Sequence, residues 1–332
     1  MSATETGWVC TCPDYSYRFS KCKHIFAVEF SRQVRQAVRA EVLIEQVNVS
    51  ECQFCHSENL KRFGVRHNKS GDIQRFLCAD CHKTFSVNIG FERMKHNPKA
   101  ITTAMQLYFN GESLRNTADS LRLIGAEISY QTVWNWIQKY VGLMDRYLER
   151  ITPSVGETWR TDELYLKVKG NMKYLFAMMD DDTRFWIAQQ VAENKGTADI
   201  RPMFREAIER AGKKPKTLIS DGAGNFHVAW RKEMWSQFGE VRSPDHVRDI
   251  RMDGSVHNNK MERMNGEIRD REKVMRGLKR TDTPILKGYQ IFRNYIRPHD
   301  ALKGETPAER AGIKIRGEDK WYTLIQNSAK KD

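Results

Sequence analysis

The seven cysteines constrain the N-terminal quarter of this chain more than any other feature. All of them lie within the first 81 of 332 residues, in two groups. The groups are Cys10-x-Cys12, nine residues, Cys22-x-His24, and Cys52-x2-Cys55, 22 residues, Cys78-x2-Cys81. Clustered thiols in a reducing compartment are more often metal ligands than disulfides. Each group supplies the four ligands of a closed tetrahedral site, so we expect two structural Zn²⁺ ions.

The first group, in the run CTCPDYSYRFSKCKHIFAV, resembles the SWIM-type zinc finger. That family has the pattern CxC…CxH followed by an apolar helix, and the helix-like stretch Ile25 to Val42 fits this description. The family also has strands before its first cysteine. Only nine residues precede Cys10, so we expect a trimmed or partly ordered copy. The alternative is three free thiols and an unrelated histidine.

The two CxxC knuckles of the second group predict a zinc ribbon with a hairpin between them. Phe54, Phe76 and Phe85 are expected to form its small core. His56 and His82 each follow a ligand cysteine, but four cysteines already complete the site. Basic side chains on the surface are expected to meet DNA phosphates, unless the ribbon is purely structural; they are Arg62, Arg66, Lys69, Arg75 and Lys83.

The charge of the chain favours a polyanionic partner. The formal net charge is +13 and the pI is about 9.4. A surplus of this size is typical of nucleic-acid-binding proteins, although a merely basic protein has it too. The N-terminal residues show neither a basic region nor an apolar core of a signal peptide, and no apolar run is long enough for a bilayer. We therefore expect a cytoplasmic, nucleoid-associated protein.

Residues 113 to 140 have the pattern of a helix-turn-helix unit. Ser113 and Ser129 are predicted N-caps, and Gly125 lies in the turn between the helices. The second helix would direct Val133, Trp136, Ile137 and Tyr140 inward. Its outer face would contact DNA, since Gln and Asn side chains pair with adenine edges. The predicted contacts are Gln131, Asn135 and Lys139, with Tyr130 beside them. The alternative is an ordinary helical hairpin.

The C-terminal half alternates between strand and helix patterns. Three strands, a helix, a short buried strand and further helices predict an α/β domain with a mixed sheet. The acidic run Asp180–Asp182 is predicted to be a hairpin turn and not a metal site. The predicted segments are a zinc finger at 1–45, a zinc ribbon at 46–90, a helix-turn-helix domain at 91–150, the α/β domain at 151–312 and a basic tail at 313–332.

Three acidic residues stand where the fold does not require them. Asp162 shares strand parity with Leu164 and Leu166, so it lies on the face that otherwise packs. Asp221 ends a buried strand, which is a favoured place for a site residue. Glu262 borders the apolar stripe of a long helix, 41 positions after Asp221. We expect the three carboxylates to converge at one edge of the sheet.

The motifs around these acids resemble those of the DDE transposases and retroviral-type integrases. They are WRTDELYL, LISDGAGNF and NNKMERMNGEIRDREKVMRGLK, followed by YIRPHDALKGETPAERAGI. The resemblance implies a ribonuclease H-like catalytic domain, in which Asp162, Asp221 and Glu262 bind two Mg²⁺ (or Mn²⁺) ions. It also implies cleavage of mobile-element ends and their transfer to target double-stranded DNA by a homodimer or higher multimer. Glu267 is the reserve for the third acid, and the SWIM-like finger is not usual for this family.

The long helix that carries Glu262 is also basic. Its polar side, led by Lys273 and Arg276, is predicted to hold the DNA backbone near the acids. The alternative is a solvated face stabilised by neighbouring acids. Two other functions remain open on the sequence: a non-catalytic DNA-binding regulator derived from a transposase, and a related nuclease or integrase.

Overall fold

The computed structural model describes residues 2–4, 7–18, 20–27, 41–68, 71–235, 245–248, 258–275, 278 and 284–330. It divides into two compact units, Met1–Val42 and Leu43–Asp332. In the first unit, strand β1 (Ser2–Thr4) pairs antiparallel with β2 (Gly7–Val9), and helix α1 (Pro13–Arg18) follows. A strand hairpin therefore precedes Cys10. Of the predicted helix from Ile25 to Val42, residues 28–40 lie outside the described residues.

A short strand and the ribbon come next in the chain. Strand β3 (Val42–Ile44) is followed by β4 (Leu60–Asn68), β5 (Gly71–Cys78) and β6 (Thr84–Ser86). The last three form an antiparallel sheet in the order β4-β5-β6. Phe85 stacks on Phe76 at 5.8 Å and meets the edge of Phe54 at 6.1 Å. The hairpin and the aromatic core are those that the CxxC spacing predicts.

Three helices follow the ribbon: α2 (Pro98–Asn110), α3 (Leu114–Leu123) and α4 (Tyr130–Leu148). Oγ of Ser113 accepts a hydrogen bond from Asn116 N–H, and Oγ of Ser129 accepts one from Thr132 N–H, so both predicted caps are present. Gly125 in the intervening turn has φ +81°. This is the predicted helical hairpin. Each serine cap satisfies a free N–H group in the first turn of its helix, which explains why the two helices begin where they do.

A five-stranded mixed sheet is the centre of the α/β part. Its strands are β7 (Thr158–Val168), β8 (Asn171–Asp180), β9 (Trp186–Ala192), β10 (Thr217–Ile219) and β11 (Asp245–Val247), in the order β11-β10-β7-β8-β9. The strands β7, β8 and β9 are antiparallel neighbours, whereas β10 is parallel to both β7 and β11. This is the ribonuclease H-like arrangement, and it confirms the predicted mixed-sheet fold class. The three-residue strand β11 was not predicted.

Helices cover the sheet and complete the chain. They are α5 (Thr197–Ala211), α6 (Gly224–Glu233), α7 (Asn259–Met275), α8 (Pro284–Ile291) with a π-helical continuation Phe292–Ile296, a 3₁₀ turn Asp300–Leu302, α9 (Pro307–Arg310) and α10 (Lys320–Ala329), with strand β12 (Ile313–Ile315) before the last. Within the described residues, none of the helices has both the length and the apolarity to cross a membrane.

The structure differs from the expected basic tail at 313–332. Helix α10 is packed, with Trp321, Leu324 and Ile325 at most 2% exposed. Trp321 stacks on Phe109 of α2 at 5.6 Å, and its indole N–H donates to Gln106 at 2.9 Å. The segment therefore completes the core of the helical region, because its apolar residues recur at helical spacing within a basic sequence.

The helical hairpin and the α/β part share a core. Phe109 also stacks on Phe292 at 6.3 Å. A Cβ atom at Gly288 of α8 would lie 2.3 Å from Phe109 and 2.8 Å from Val141, so glycine is required where these helices cross. The predicted boundary at residue 150 thus separates two segments of one compact unit.

Candidate functional site

Asp162 lies in the middle of β7, on the face predicted from its parity. Leu164 and Leu166 are each 1% exposed, whereas Tyr165 between them is 44% exposed. Glu163, which has the parity of Tyr165, forms an ion pair with Lys195 at 3.6 Å. The alternation of a strand therefore directs Asp162 and Glu163 to opposite faces.

Asp221 follows β10 directly, and the register of the sheet brings it to Asp162. Leu218 pairs with Trp159 and Ile219 with Arg160. The same register, extended by two residues, places Asp221 next to Asp162, and neighbouring strands are about 4.8 Å apart. Asp221 is exposed, and its Oδ1 accepts a hydrogen bond from Ala223 N–H at 3.1 Å.

Glu262 lies in the first turn of α7, beside the apolar stripe of that helix. Met261 and Met264 are fully buried, while Glu262 is exposed. One turn further on, Asn265 Nδ2 donates a 2.8 Å hydrogen bond to Oδ2 of Asp162. Residues three apart share a helix face, so Glu262 lies on the same side of α7 as Asn265.

The pKa of Asp162 is affected by the charges of the other acids. Burial raises the pKa of Asp162, and the charges of Asp221, Glu163 and Glu262 raise it further, to about 6. A hydrogen bond from Glu163 N–H only partly offsets these effects. The site is open: in the described part of the chain, only the two cysteine groups bring three or more ligand atoms within 4.8 Å of one another. Carboxylate oxygens are the ligands that Mg²⁺ prefers, and accumulated negative charge favours a cation.

A second contact anchors the start of α7. Lys260 Nζ donates to Oδ1 of Asp181 at 2.7 Å, and Arg160 Nε donates to the same oxygen at 2.5 Å. Burial alone would raise the pKa of Asp181, but these two cations lower it below the ordinary value. Asp180 is fully buried and accepts hydrogen bonds from Gly156 and Thr183. The acidic run thus forms the turn between β8 and β9, as predicted, and Asp181 also holds the first turn of α7 through Lys260.

Both cysteine groups have the geometry of tetrahedral metal sites. The Sγ atoms of Cys52 and Cys81 are 3.6 Å apart, and so are those of Cys55 and Cys78. In the first group, His24 Nδ1 lies 3.9 Å from Cys10 Sγ and 4.0 Å from Cys22 Sγ; Cys12 completes it. Zn–S bonds of about 2.3 Å in a tetrahedron separate the sulfur atoms by about 3.8 Å, so the donor sets fit Zn²⁺.

The thiols of the ribbon differ in their pKa: despite a backbone hydrogen bond from Ser57, burial and hydrogen bonds with neighbouring thiols raise the pKa of Cys55. Backbone N–H groups of Cys81 and Asp80 lower the pKa of Cys78 to about 6. His56 and His82 have φ values of +57° and +53°, because the chain turns back after each knuckle. His56 contacts Glu51 at 3.5 Å and is not in the ligand cluster.

The predicted DNA-contacting residues of α4 form one exposed face. Gln131, Asn135 and Lys139 are all exposed, and Gln131 Nε2 donates to Oδ1 of Asn135 at 3.1 Å. On α7, Lys273 is exposed and paired with Asp270 at 2.9 Å. Arg276 lies outside the described residues.

Glu267, the reserve for the third acid, lies on another side of α7. Its Oε2 is 3.5 Å from Arg293 Nε and 3.4 Å from Arg297 Nη1. Sequence reasoning missed Asn265, the residue that connects α7 to Asp162. Its position, three residues after Glu262 on the same helix face, is the signal that would have identified it.

Two known domain families match parts of this chain. Residues 156–299 match a DDE domain family of the IS240 transposase type, and residues 5–33 match the SWIM zinc finger. The former range contains all three acids. The transposase of the insertion sequence-like element IS431mec from Staphylococcus aureus is 28% identical over 146 residues, which are 43% of this chain and 63% of the relative. The chain thus spans about 63% of the length of this relative.

A second relative also comes from an insertion element. The InsA protein of insertion element iso-IS1N from Shigella dysenteriae is 36% identical over 89 residues, which are 27% of this chain and 91% of InsA. Among solved structures, the catalytic core of the HTLV-2 integrase, in complex with magnesium, matches 48% of this chain and 98% of its own. The identity is 14% and the TM-score 0.34. The chain therefore belongs to the proteins of insertion elements, and it carries a DDE domain at residues 156–299 with a SWIM zinc finger ahead of it in the sequence.

Proposed function

We propose that this chain cleaves DNA at the ends of its mobile element and joins the ends to target DNA, using Asp162, Asp221 and Glu262. The observation that carries the proposal is that the strand register and a helix contact bring the other two acids toward Asp162. The register of β10 with β7 supports the position of Asp221. The bond from Asn265 supports that of Glu262, and both acids raise the pKa of Asp162.

The residue types suit phosphodiester chemistry. Two Mg²⁺ (or Mn²⁺) ions between carboxylates would assist the attacking oxygen and neutralise the leaving one. The chain supplies three carboxylates, two of them on exposed positions that DNA can reach. Asn265 and Lys260 orient the helix that carries the third. No side chain needs to act as a nucleophile, because water or a 3′-hydroxyl attacks.

Double-stranded DNA is the proposed partner, both as element end and as target. The exposed face of Gln131, Asn135 and Lys139 would read the end sequence in the major groove. The Zn²⁺ sites would order the two N-terminal modules, since such short segments have little core of their own. Lys273 and Arg276 would contact the phosphate backbone close to the acids.

The proposed assembly is a homodimer or a higher multimer that holds two ends together, acting on nucleoid DNA in the cytoplasm. The net charge of +13 supports a polyanionic partner. Synapsis of two ends by two copies would bring two sets of acids to the two cleavage positions.

The test is a strand-transfer assay with purified protein, Mg²⁺ and the element's own ends. Asp162→Asn, Asp221→Asn and Glu262→Gln each keep the shape of the side chain but remove a negative charge. We expect cleavage and strand transfer to fall by several orders of magnitude, while end binding persists. Glu163→Gln is the matched control, because it lies on the opposite face of β7 and pairs with Lys195. Unchanged Mg²⁺-dependent strand transfer in all three variants would leave a DNA-binding regulator as the function.

A further inference from the structure

We infer that the edge strand β11 positions Asp221, and that His246 and Arg248 act through the two residues that flank this acid. The inference rests on the proposed function, because it concerns one of the three proposed metal ligands. Asp221 needs such support, since β10 is only three residues long and ends two positions before it. An exposed carboxylate on a free turn would pay an entropic cost on every metal-binding event.

The residue before Asp221 is held from β11. Ser220 is fully buried, and its N–H donates to the Val247 carbonyl at 3.1 Å. Its hydroxyl shares a 2.9 Å hydrogen bond with Nε2 of His246. Main chain and side chain of Ser220 are therefore both fixed by the same strand.

The residue after Asp221 is held from the same strand. Nη2 of Arg248 donates to the Gly222 carbonyl at 2.9 Å. Gly222 has φ +84°, and a Cβ atom there would lie 2.7 Å from the Arg248 carbonyl oxygen. Only glycine lets the turn pass this close to β11, so the contact is built into the backbone.

The imidazole of His246 is itself fixed on its far side. Its ring stacks on His227 at 5.5 Å with 11° between the planes, and the two Nδ1 atoms are 3.2 Å apart. Trp230 packs against both rings at 5.3 Å. His227 and Trp230 belong to α6, which begins two residues after Gly222. The group that holds Ser220 is thus locked between the sheet and the helix that follows the turn.

These contacts make His246 and Arg248 positioning residues and not ligands. Groups that orient metal ligands typically contribute about 10- to 100-fold to metal affinity. The direction of the change in metal affinity distinguishes this positioning role from a simple electrostatic effect of the charge. Removing the positive charge of Arg248 would by itself strengthen the binding of a cation, whereas loss of the positioned turn weakens it.

The experiment is a Mn²⁺ titration of the full-length, zinc-loaded protein, with free Mn²⁺ followed by electron paramagnetic resonance. Mn²⁺ binds more weakly than Zn²⁺ to thiolate sites and leaves them occupied. We expect Arg248→Ala and His246→Leu each to raise the Mn²⁺ Kd about tenfold. Arg248→Lys and His246→Gln, which keep a hydrogen-bonding group, should recover part of the loss. Lys232→Ala, which removes an exposed charge from α6, is the control and should not raise the Kd.

Each outcome decides a separate point. A wild-type Mn²⁺ Kd in both Arg248→Ala and His246→Leu would overturn the inference. So would a loss of DNA-end affinity at unchanged Mn²⁺ affinity, because Arg248 would then contact DNA. If the alanine or leucine variant does not fold, the Mn²⁺ Kd values of wild type, Arg248→Lys and Arg248→Gln are compared instead. The Kd of Arg248→Lys is expected to lie between those of the other two proteins. Mn²⁺ binding that is equal in wild type and Asp221→Asn would instead overturn the proposed metal site, and this inference with it.

Discussion

Asn265 Nδ2 donates a 2.8 Å hydrogen bond to Oδ2 of Asp162, across 103 positions of sequence. Asn265 is 3% exposed, so water competes little for its amide group. The bond sets the rotation of α7 about its axis relative to β7. That rotation places Asn265 against Asp162 and Glu267 against Arg293 and Arg297, and it is the basis on which we propose Glu262 as the third acid.

Loss of this bond is expected to lower activity without affecting DNA-end binding. Asn265→Leu keeps the volume of the side chain but removes the donor to Asp162. We expect cleavage and strand transfer to fall by about 10- to 100-fold, as for other groups that orient metal ligands. Asp270→Asn, on the exposed part of the same helix, is the control for charge and helix effects. Full strand transfer by Asn265→Leu would mean that the bond does not orient the site.

The raised pKa of Asp162 predicts a pH-dependent stability difference in the metal-free protein. Its pKa is about 6 in the folded chain against an ordinary value of 3.8. The folded state therefore disfavours the ionised form, and stability is lost as the pH rises from about 4 to 6. The loss is up to about 3 kcal/mol, and it is complete above the folded pKa.

The variant Asp162→Asn carries no such loss, because it cannot ionise and can still accept from Asn265. We expect it to be more stable than wild type at pH 7.5 and equal to it near pH 3.5. Urea denaturation at the two pH values, in chelator, measures the difference. Saturating Mg²⁺ should abolish the advantage by neutralising the site in wild type. If the variant were more stable than wild type by the same free energy of unfolding at both pH values, packing and not charge would be the cause of the difference.

Local signals predicted much of this structure, and long-range pairing supplied the rest. The caps at Ser113 and Ser129 and the strands around Asp162 are encoded in short stretches of sequence. Strand β11 is three residues long and has no periodicity, so only its partner β10 defines it. Helix α10 was not predicted, because its apolar residues lie within a basic segment of the sequence. The contact of Asn265 with Asp162 depends on the packing of α7, which no local pattern reports.

Zinc analysis is expected to give two equivalents of Zn²⁺ per chain in reducing buffer. The two ligand groups are separate, so loss of one should leave the other. Cys22→Ser is expected to reduce the content to one equivalent. Cys78→Ser should do the same and also lower end binding, because the ribbon precedes the helix-turn-helix in one compact unit. One equivalent in wild type, unchanged in Cys22→Ser, would remove the first site.

The exposed face of α4 is expected to distinguish element ends from random DNA. Gln131→Ala or Asn135→Ala should weaken binding to element ends by about 1–3 kcal/mol and weaken binding to random DNA by less. The reason is that base contacts carry sequence information, whereas phosphate contacts do not. The two side chains are hydrogen-bonded to each other, so the double variant should lose less than the sum of the single ones. Competition binding at fixed salt measures this. Equal losses on both DNAs would mean that the helix does not read bases.

Glu267 provides the sharpest test of the third acid, because it and Glu262 are expected to respond in opposite ways. Glu267 faces Arg293, whose side chain is 4% exposed, and Arg297. Removing one partner of a buried ion pair leaves the other charge uncompensated.

Glu267→Gln should therefore lower the free energy of unfolding by about 3 kcal/mol, while the folded protein keeps strand transfer within a few fold. Glu262→Gln should keep its stability and lose strand transfer, because its side chain is exposed and its charge is needed only for the cations. Both variants are compared by urea denaturation and by strand transfer at about 20 °C, where each is folded. A stable but inactive Glu267→Gln together with an active Glu262→Gln would reassign the third acid to Glu267, and α7 would have to rotate away from the Asn265 contact.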